Sequence, residues 1–331
     1  MTSQMDGHFL NPPVFLAPMA GITDVPFRSV VLGCGAGFVV SEMVASAEMV
    51  HAKSSVRSRA LPGAEVQRSA VQLAGREAGY MAEAAKICEA GGAGIIDINF
   101  GCPAKKVTNG WSGAALMREP DHAMRLVDAV VGAVSVPVTL KMRLGWDENQ
   151  LNAPEIAKRA ENAGVRMITV HGRTRCQFYK GSADWAKIAQ VVEAVNVPVI
   201  ANGDILDTAT AKQAMSDSGA RSVMVGRGAQ GQPWIINRLS DELNGKTPPE
   251  DPDLKERTEI ILTHYDHILS FYGRDLGVRV ARKHLGWYLE RVDGAADLRA
   301  RVLRMGDPND VSTAIGAELP HCSTARMDIA S

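Results

Sequence analysis

The sequence lacks any Cys-x-x-Cys pair; its five cysteines, at positions 34, 88, 102, 176 and 322, form an odd and scattered set. That argues against a disulfide framework and against a zinc site, and it suits reduced thiols in a cytoplasmic protein. Also missing is any run of ~18 apolar residues, so no membrane span is expected. The opening MTSQMDGHFL has neither a basic n-region nor an apolar h-region, so no secretory signal is expected. An excess of one charge is absent too: 36 Lys and Arg stand against 37 Asp and Glu, a net charge of −1. This lowers the expectation of a nucleic-acid binder without removing it, because a balanced total can hide a basic face.

What is present is a beat. Short apolar runs at 14–17, 38–41, 70–73, 95–99, 138–142, 167–171, 199–201 and 222–225 alternate with segments of helical pattern. One helix is expected from near Met43. Another is expected over 77–90, where Tyr80, Ala84, Ile87 and Cys88 recur at helical spacing, and a third over 120–134, with Pro in its first turn. Gly33, Gly94, Gly164 and Gly219 close helices ahead of strands, while Val-Pro at 136–137 and 197–198 favours extended entry. Parallel strands need such crossovers. An open doubly wound sheet and a closed (β/α)8 barrel both accept the pattern; its length of roughly 230 residues favours the TIM barrel.

After Asn244 the texture changes. GKTPPEDPD is a Pro- and Asp-rich connector, and no strand alternates with helix beyond it. Helices are expected over 254–272, 278–292 and 298–305. From Gly306 apolar anchors are few, and a disordered tail is expected. The expected division is a barrel over 1–245 and a small all-helical domain over 246–331.

In a barrel enzyme the chemistry sits where the strands end. Those ends offer Pro18-Met19-Ala20-Gly21, Glu42, Gln72, Asn99 with Cys102, Lys141 with Arg143, His171 with Arg173 and Arg175, Asn202-Gly203-Asp204, and Gly226-Arg227-Gly228. Polar groups thus converge from at least six strands, which a purely structural barrel has no reason to collect. Small turns after strands seven and eight form the usual phosphate site of this fold, and Arg227 adds a charge there. Lys141 suits a Schiff base, a phosphate contact, a salt bridge or a charge beside an electron-accepting ring. Gln72 and His171 favour the last, because the edge of an isoalloxazine needs hydrogen bonds and a charge near its N1.

Cys34 and Cys88 fit inert small hydrophobes in or beside helices. Cys102 does not: it follows a strand and precedes TNGWSGAA (108–115), a stretch rich in Gly, Ser and Asn that reads as a mobile loop. A nucleophile there would need a thiolate, which Lys105 and Lys106 favour. A general acid would need the protonated thiol. The residues alone leave both roles open. In the helical part, eight cations from Arg274 to Arg304 outnumber the acids and are interleaved with His284, Trp287 and Tyr288. That suits an RNA-tracking surface, and equally a solvated helix face.

Together, APMAGITDVPFR (17–28), QLAG (72–75), DINFGCPAKKV (97–107), KMRLGW (141–146), HGRTR (171–175), ANGDI (201–205) and GRGAQGQPW (226–234) resemble the tRNA-dihydrouridine synthases. ARKHLGWYL (281–289) is similar to the helical motif of the bacterial B-type branch. The resemblance implies an FMN-dependent barrel that reduces the 5,6 double bond of a D-loop uridine in tRNA with NADPH, or NADH, as reductant. It implies that Pro18, Met19, Ala20, Gln72, Lys141, His171, Asn202, Gly203, Asp204, Gly226 and Arg227 hold FMN. Cys102 would then be the general acid, and Asn99, Arg143, Arg173 and Arg175 would face the uracil and its surroundings. The helical domain would grip the tRNA. No metal is expected, and a monomer is. Two competing readings are a small-molecule flavin reductase of the dihydroorotate dehydrogenase type, which is similar in fold and loop, and a tRNA-binding protein without catalysis.

Overall fold

The computed structural model describes residues 14–52 and 68–322. Eight parallel strands close a barrel in chain order: β1 (Phe15–Leu16), β2 (Phe38–Ala45), β3 (Ser69–Ala74), β4 (Ile95–Phe100), β5 (Val138–Arg143), β6 (Met167–His171), β7 (Val199–Asn202) and β8 (Ser222–Val225). β8 returns to pair with β1, so the TIM barrel expected from the alternating pattern is the fold. Its helices start and stop for local reasons. Asp24 accepts the Phe27 N–H at 3.0 Å and caps the helix Val25–Gly33. Asp207 and Thr210 form a reciprocal capping box on Thr208–Ser218. Gly164 and Gly219 end their helices in the left-handed conformation, at φ 107° and 65°.

Strand register divides the barrel's interior into two storeys. Phe15, Phe38, Ala70, Ile95, Met167, Ile200 and Met224 fill its lower end as a small apolar cluster. Two residues further along β3, β4, β6 and β7, the same inward faces carry Gln72, Asp97, Thr169 and Asn202. A larger core lies between barrel and helices, and a separate one, built on Ile261, Tyr265, Leu285 and Leu298, lies within the C-terminal helices.

Three expectations differ from the structure. β2 runs on to Ala45, past a register shift between Val40 and Met43, so the helix expected near Met43 begins at Ser46. The stretch 108–115, expected to be a mobile loop, starts at the end of a one-turn helix (Lys105–Thr108) and runs into a 3-10 turn (Gly113–Arg118) whose Ala114 to Met117 are buried. Finally, the tail from Gly306 was expected not to fold, yet Pro308–Glu318 is a helix. Asp307 caps it, and Val311, Ile315 and the following Leu319 are buried in the helical core. Residues 323–331 of that expected tail lie outside the described residues. Among the described residues no helix is long and apolar enough to cross a membrane.

Candidate active site at the barrel mouth

The register that sets the polar storey also builds the site. Gln72 pairs with Asp97, Asp97 with Thr139, Asn99 with Lys141, Arg143 with His171, and His171 with Asn202. Of these, Gln72, Asn99, Lys141, Arg143, His171 and Asn202 floor a cavity of about 400 Å³ at the C-terminal mouth of the barrel, within the usual range for a small-molecule site, while Asp97 and Thr139 lie beneath them. Pro18, Met19, Ala20, Cys102, Gly203, Asp204, Gly226, Arg227, Phe178, Tyr179 and Leu206 form its walls and rim.

A buried relay runs across the floor. Asp97 accepts from Gln72 Nε2 and from Thr139 Oγ1, each at 2.6 Å. Gln72 Oε1 accepts from Asn99 Nδ2 at 2.6 Å. Asn99 Oδ1 in turn accepts the backbone N–H groups of Gly101 and Cys102, at 3.0 and 2.9 Å. Each acceptor fixes the orientation of the next amide. The position of the Cys102 backbone is thus set from inside the barrel, by a carboxylate on the same strand. Burial raises the pKa of Asp97, against the hydrogen bonds from Thr139 and Gln72 and the charge of Lys141.

Lys141 donates to Asn202 Oδ1 at 2.9 Å, and Asn202 Nδ2 is held by the Met224 carbonyl at 2.8 Å. Burial first, then the neighbouring Arg143, pushes Lys141 down to about 8. His171 is driven well below its usual value by burial and then by the charges of Arg143, Lys141, Arg173 and Arg227. At neutral pH it is an uncharged imidazole, a hydrogen-bonding group rather than a cation. Arg143 ties two loops together, donating to the carbonyls of Gly101, Thr174 and Phe178 at 2.8, 2.8 and 2.9 Å.

On the far wall Asp204 clamps two arginines. Arg173 Nη1 donates to it at 2.9 Å and Arg227 Nη2 at 3.1 Å, and the Ala183 N–H adds a bond of 2.8 Å. Burial alone would raise the Asp204 carboxyl; the Arg173 bonds, the Ala183 N–H and the two positive charges outweigh it and hold it low. Gly203, at φ 113°, leaves room for His171: a Cβ there would lie 2.7 Å from the imidazole Cδ2. Among the described residues, three non-glycines have positive φ: Trp111 (56°), Phe178 (57°) and Asp204 (53°). All three sit on loops at this mouth. Such conformations persist where surrounding structure over-determines them, typically at functional sites.

The helical bundle reaches the same rim. The Lys283 ammonium donates to the Gly21 carbonyl, and Glu42 accepts the Gly21 N–H. Tyr272 Oη donates to Asp24 at 2.9 Å, and Arg291 Nε to the Gln230 carbonyl at 3.0 Å. A Cβ on Gly231 would lie 2.4 Å from the Trp287 carbonyl. Several cations read as an RNA-facing or solvated row are therefore used inside the protein. Arg282 and Arg299 likewise donate to the carbonyls of Met305 and Gly286, at 3.3 and 3.0 Å.

The dihydrouridine synthase family model matches residues 15–322. The chain belongs to the dihydrouridine synthase family. It is similar to a probable tRNA-dihydrouridine synthase of Rhodobacter capsulatus, 63% identical over 311 residues that cover 93% of this chain and 95% of that one. A probable tRNA-dihydrouridine synthase of Rickettsia conorii is 51% identical, covering 90% and 91%. The tRNA-dihydrouridine synthase B of Xanthomonas campestris pv. campestris is 46% identical, covering 92% of each. A solved structure of histamine dehydrogenase from Rhizobium sp. 4-9 shares the fold, with TM-score 0.52 at 11% identity, over 95% of this chain and 64% of that one.

For this member of the dihydrouridine synthase family, the mouth gathers Cys102, Asn99, Arg143 and the eleven residues expected to hold a cofactor. Arg173 and Arg175 stand behind the wall. Arg173 is 2% exposed and committed to Asp204, Lys180 and Gly181. Arg175 lies over the Trp146 ring, 4.7 Å from its centroid, and donates to Thr108 Oγ1 at 3.2 Å. Asp97, Phe178, Tyr179 and Leu206 were not anticipated. Asp97 had a readable signal, a lone charge inside the apolar run IIDINF. The exposed aromatic pair Phe178-Tyr179 carried a weaker one, inside the polar loop after HGRTR.

Proposed function

We propose that the chain reduces the 5,6 double bond of a uridine in the D-loop of tRNA, with FMN in the mouth cavity, NADPH as reductant and Cys102 as general acid. The observation that carries this reading is the placement of Cys102 on the rim of the same cavity that Gln72, Lys141, His171 and Asn202 floor. The tRNA and the product come from the names of the relatives, and the cytoplasm is where such a substrate is met.

The residues present fit FMN. Gly203, Gly226 and Gly228 line the cavity and add no side chain to the wall where a phosphate would lie. Arg227, exposed and steered by Asp204, supplies the cation. Pro18, Met19 and Ala20 adjoin that wall, with Met19 beside Gly226, and Gln72, Lys141, His171, Asn202 and Asp204 offer the polar set that suits the edge of the ring. Bound there, reduced flavin supplies the hydride for C6 of the base.

The chain's own residues do the rest. A uracil inside folded tRNA cannot reach this floor, so it must be flipped out of its stack. Asn99 and Arg143 line the pocket where it would arrive, beside Cys102. Lys141 and Arg143, both within electrostatic reach of Cys102, stabilise negative charge that develops on the uracil carbonyl. Cys102 delivers the proton to C5 from a backbone held by Asn99. Arg173 and Arg175 act one step back, the first through Asp204 and the second on the flank of the Cys102 loop. The C-terminal helices, packed through Lys283 and Arg291 on the loops after β1 and β8, complete the surface for the tRNA.

The test is mass spectrometry of dihydrouridine-free tRNA after incubation with the protein and NADPH. A gain of two hydrogens on one D-loop uridine is expected. A yellow protein that oxidises NADPH but leaves every tRNA uridine unchanged would overturn the reading.

A further inference from the structure

Trp111 is held in a conformation that its role in the chain path does not require. It lies in the stretch that starts at Cys102, at φ 56°, with 47% of its surface exposed. A residue needed only to turn the chain there would be glycine, as Gly110 and Gly113 on either side are. The strained position instead presents a large aromatic ring to solvent.

That ring does not stand alone. The Arg118 guanidinium lies over it, 5.6 Å from the centroid, and over Trp146 at 4.9 Å; Arg175 lies over Trp146 at 4.7 Å. Arg175 then returns to the loop through Thr108. Trp111 is thus the outer end of an alternating run of indoles and guanidiniums, braced from behind. The run is close to the chemistry: Gly113 lies against Cys102, where an added Cβ would meet the Cys102 carbonyl at 2.8 Å. Two residues span at most ~7 Å of chain, so the Trp111 backbone lies within that reach of Gly113, on the same loop as Cys102 at the rim. Residues 102–118 carry Lys105, Lys106 and Arg118 and no acid, and all three cations are exposed.

An exposed, braced indole among cations, next to a pocket that takes a flipped base, has the chemistry of a single-strand stacking platform. We propose that Trp111 stacks on a base of the tRNA that flanks the reduced uridine, with Lys105, Lys106 and Arg118 facing the adjoining phosphates. This rests on the proposed function and adds to it a binding subsite outside the cavity.

The test compares full-length wild-type protein with Trp111→Ala, Trp111→Leu and Trp111→Tyr, by equilibrium binding of dihydrouridine-free tRNA and by steady-state turnover. Loss of stacking is expected to weaken tRNA binding and raise KM roughly tenfold in the Ala and Leu variants, towards the lower end of such effects, with kcat changed less than twofold. The Tyr variant, still aromatic, is expected to restore most of the affinity. Wild-type binding by the Ala and Leu variants overturns the proposal, as does a fall in kcat with unchanged KM, which would make Trp111 a brace for the Cys102 loop. Because binding is read without turnover, a protein that binds tRNA but does not reduce it would refute the proposed function and leave this comparison decisive.

Discussion

Replacing Asp97 separates two things that one carboxylate does. Asp97→Ala removes the acceptor for Gln72 Nε2 and for Thr139 Oγ1, both buried. A buried donor left without a partner costs about 1–3 kcal/mol, so the pair predicts a loss of roughly 2–6 kcal/mol. For a chain of this size each kcal/mol moves Tm by about 1.4 °C, so a fall of roughly 3–9 °C is expected in a thermal melt. The Gln72 amide is also freed to turn over. Asn99 then loses the partner that points its oxygen at the Gly101 and Cys102 N–H groups, and kcat should fall while KM for tRNA holds. Asp97→Asn behaves differently. Its oxygen still accepts from Gln72, and the Thr139 hydroxyl can rotate to accept from the new amide, so the relay survives. What it loses is the negative charge that helps Lys141 keep its proton. The Lys141 pKa is then expected to move below about 8 by on the order of one unit. Flavin affinity measured against pH should weaken at a correspondingly lower pH, with Tm close to wild type. An Ala variant with wild-type Tm and kcat would refute the relay. An Asn variant whose pH profile matches wild type would refute the charge coupling.

Three further outcomes are expected. Cys102→Ala keeps flavin and tRNA binding but loses turnover by roughly 10²–10⁴-fold, the usual contribution of a general acid; full activity by mass spectrometry would remove it from that role. In wild-type protein, flavin affinity declines as pH rises through about 8, because Lys141 carries its charge below that value and loses it above. Lys141→Met should bind flavin weakly and independently of pH over that range, and an unchanged slope would contradict the assignment. Lys283→Met should loosen flavin retention, measured by dialysis, because Lys283 is committed to the Gly21 carbonyl beside Pro18 to Ala20 rather than to solvent; a raised tRNA KM with wild-type flavin retention would return it to the RNA surface.

The barrel was legible because its signal is periodic: every strand is a short, largely buried run, and polar residues lie at or just past the ends of most of them. Cys102, Lys141, His171 and Asn202 could be placed for the same reason, since position at a strand end fixes which way a side chain meets the mouth. Partnerships were hidden. Arg173 reads as one cation among several until Asp204, 31 residues away, is seen to hold it. Lys283 reads as part of a basic helix face, and its partner Gly21 is 262 residues distant. The true length of β2 was masked by the register shift at Met43. The last helix was missed because Val311, Ile315 and Leu319 are few, and their four-residue spacing gains meaning only against a partner core.

β1 contributes two residues, Phe15 and Leu16, and the barrel closes through their pairing with Met224 and Val225. The loops on either side of that seam, at Gly21 and at Gln230, are the two that Lys283 and Arg291 hold. The first strand is made well before either fastening residue. A chain stopped after the eighth strand would own every strand of the barrel and nothing to cover its joint. Deletion of the C-terminal helices is therefore a wound to the barrel as much as to the bundle, and a separately expressed barrel should be expected to gape at this seam first.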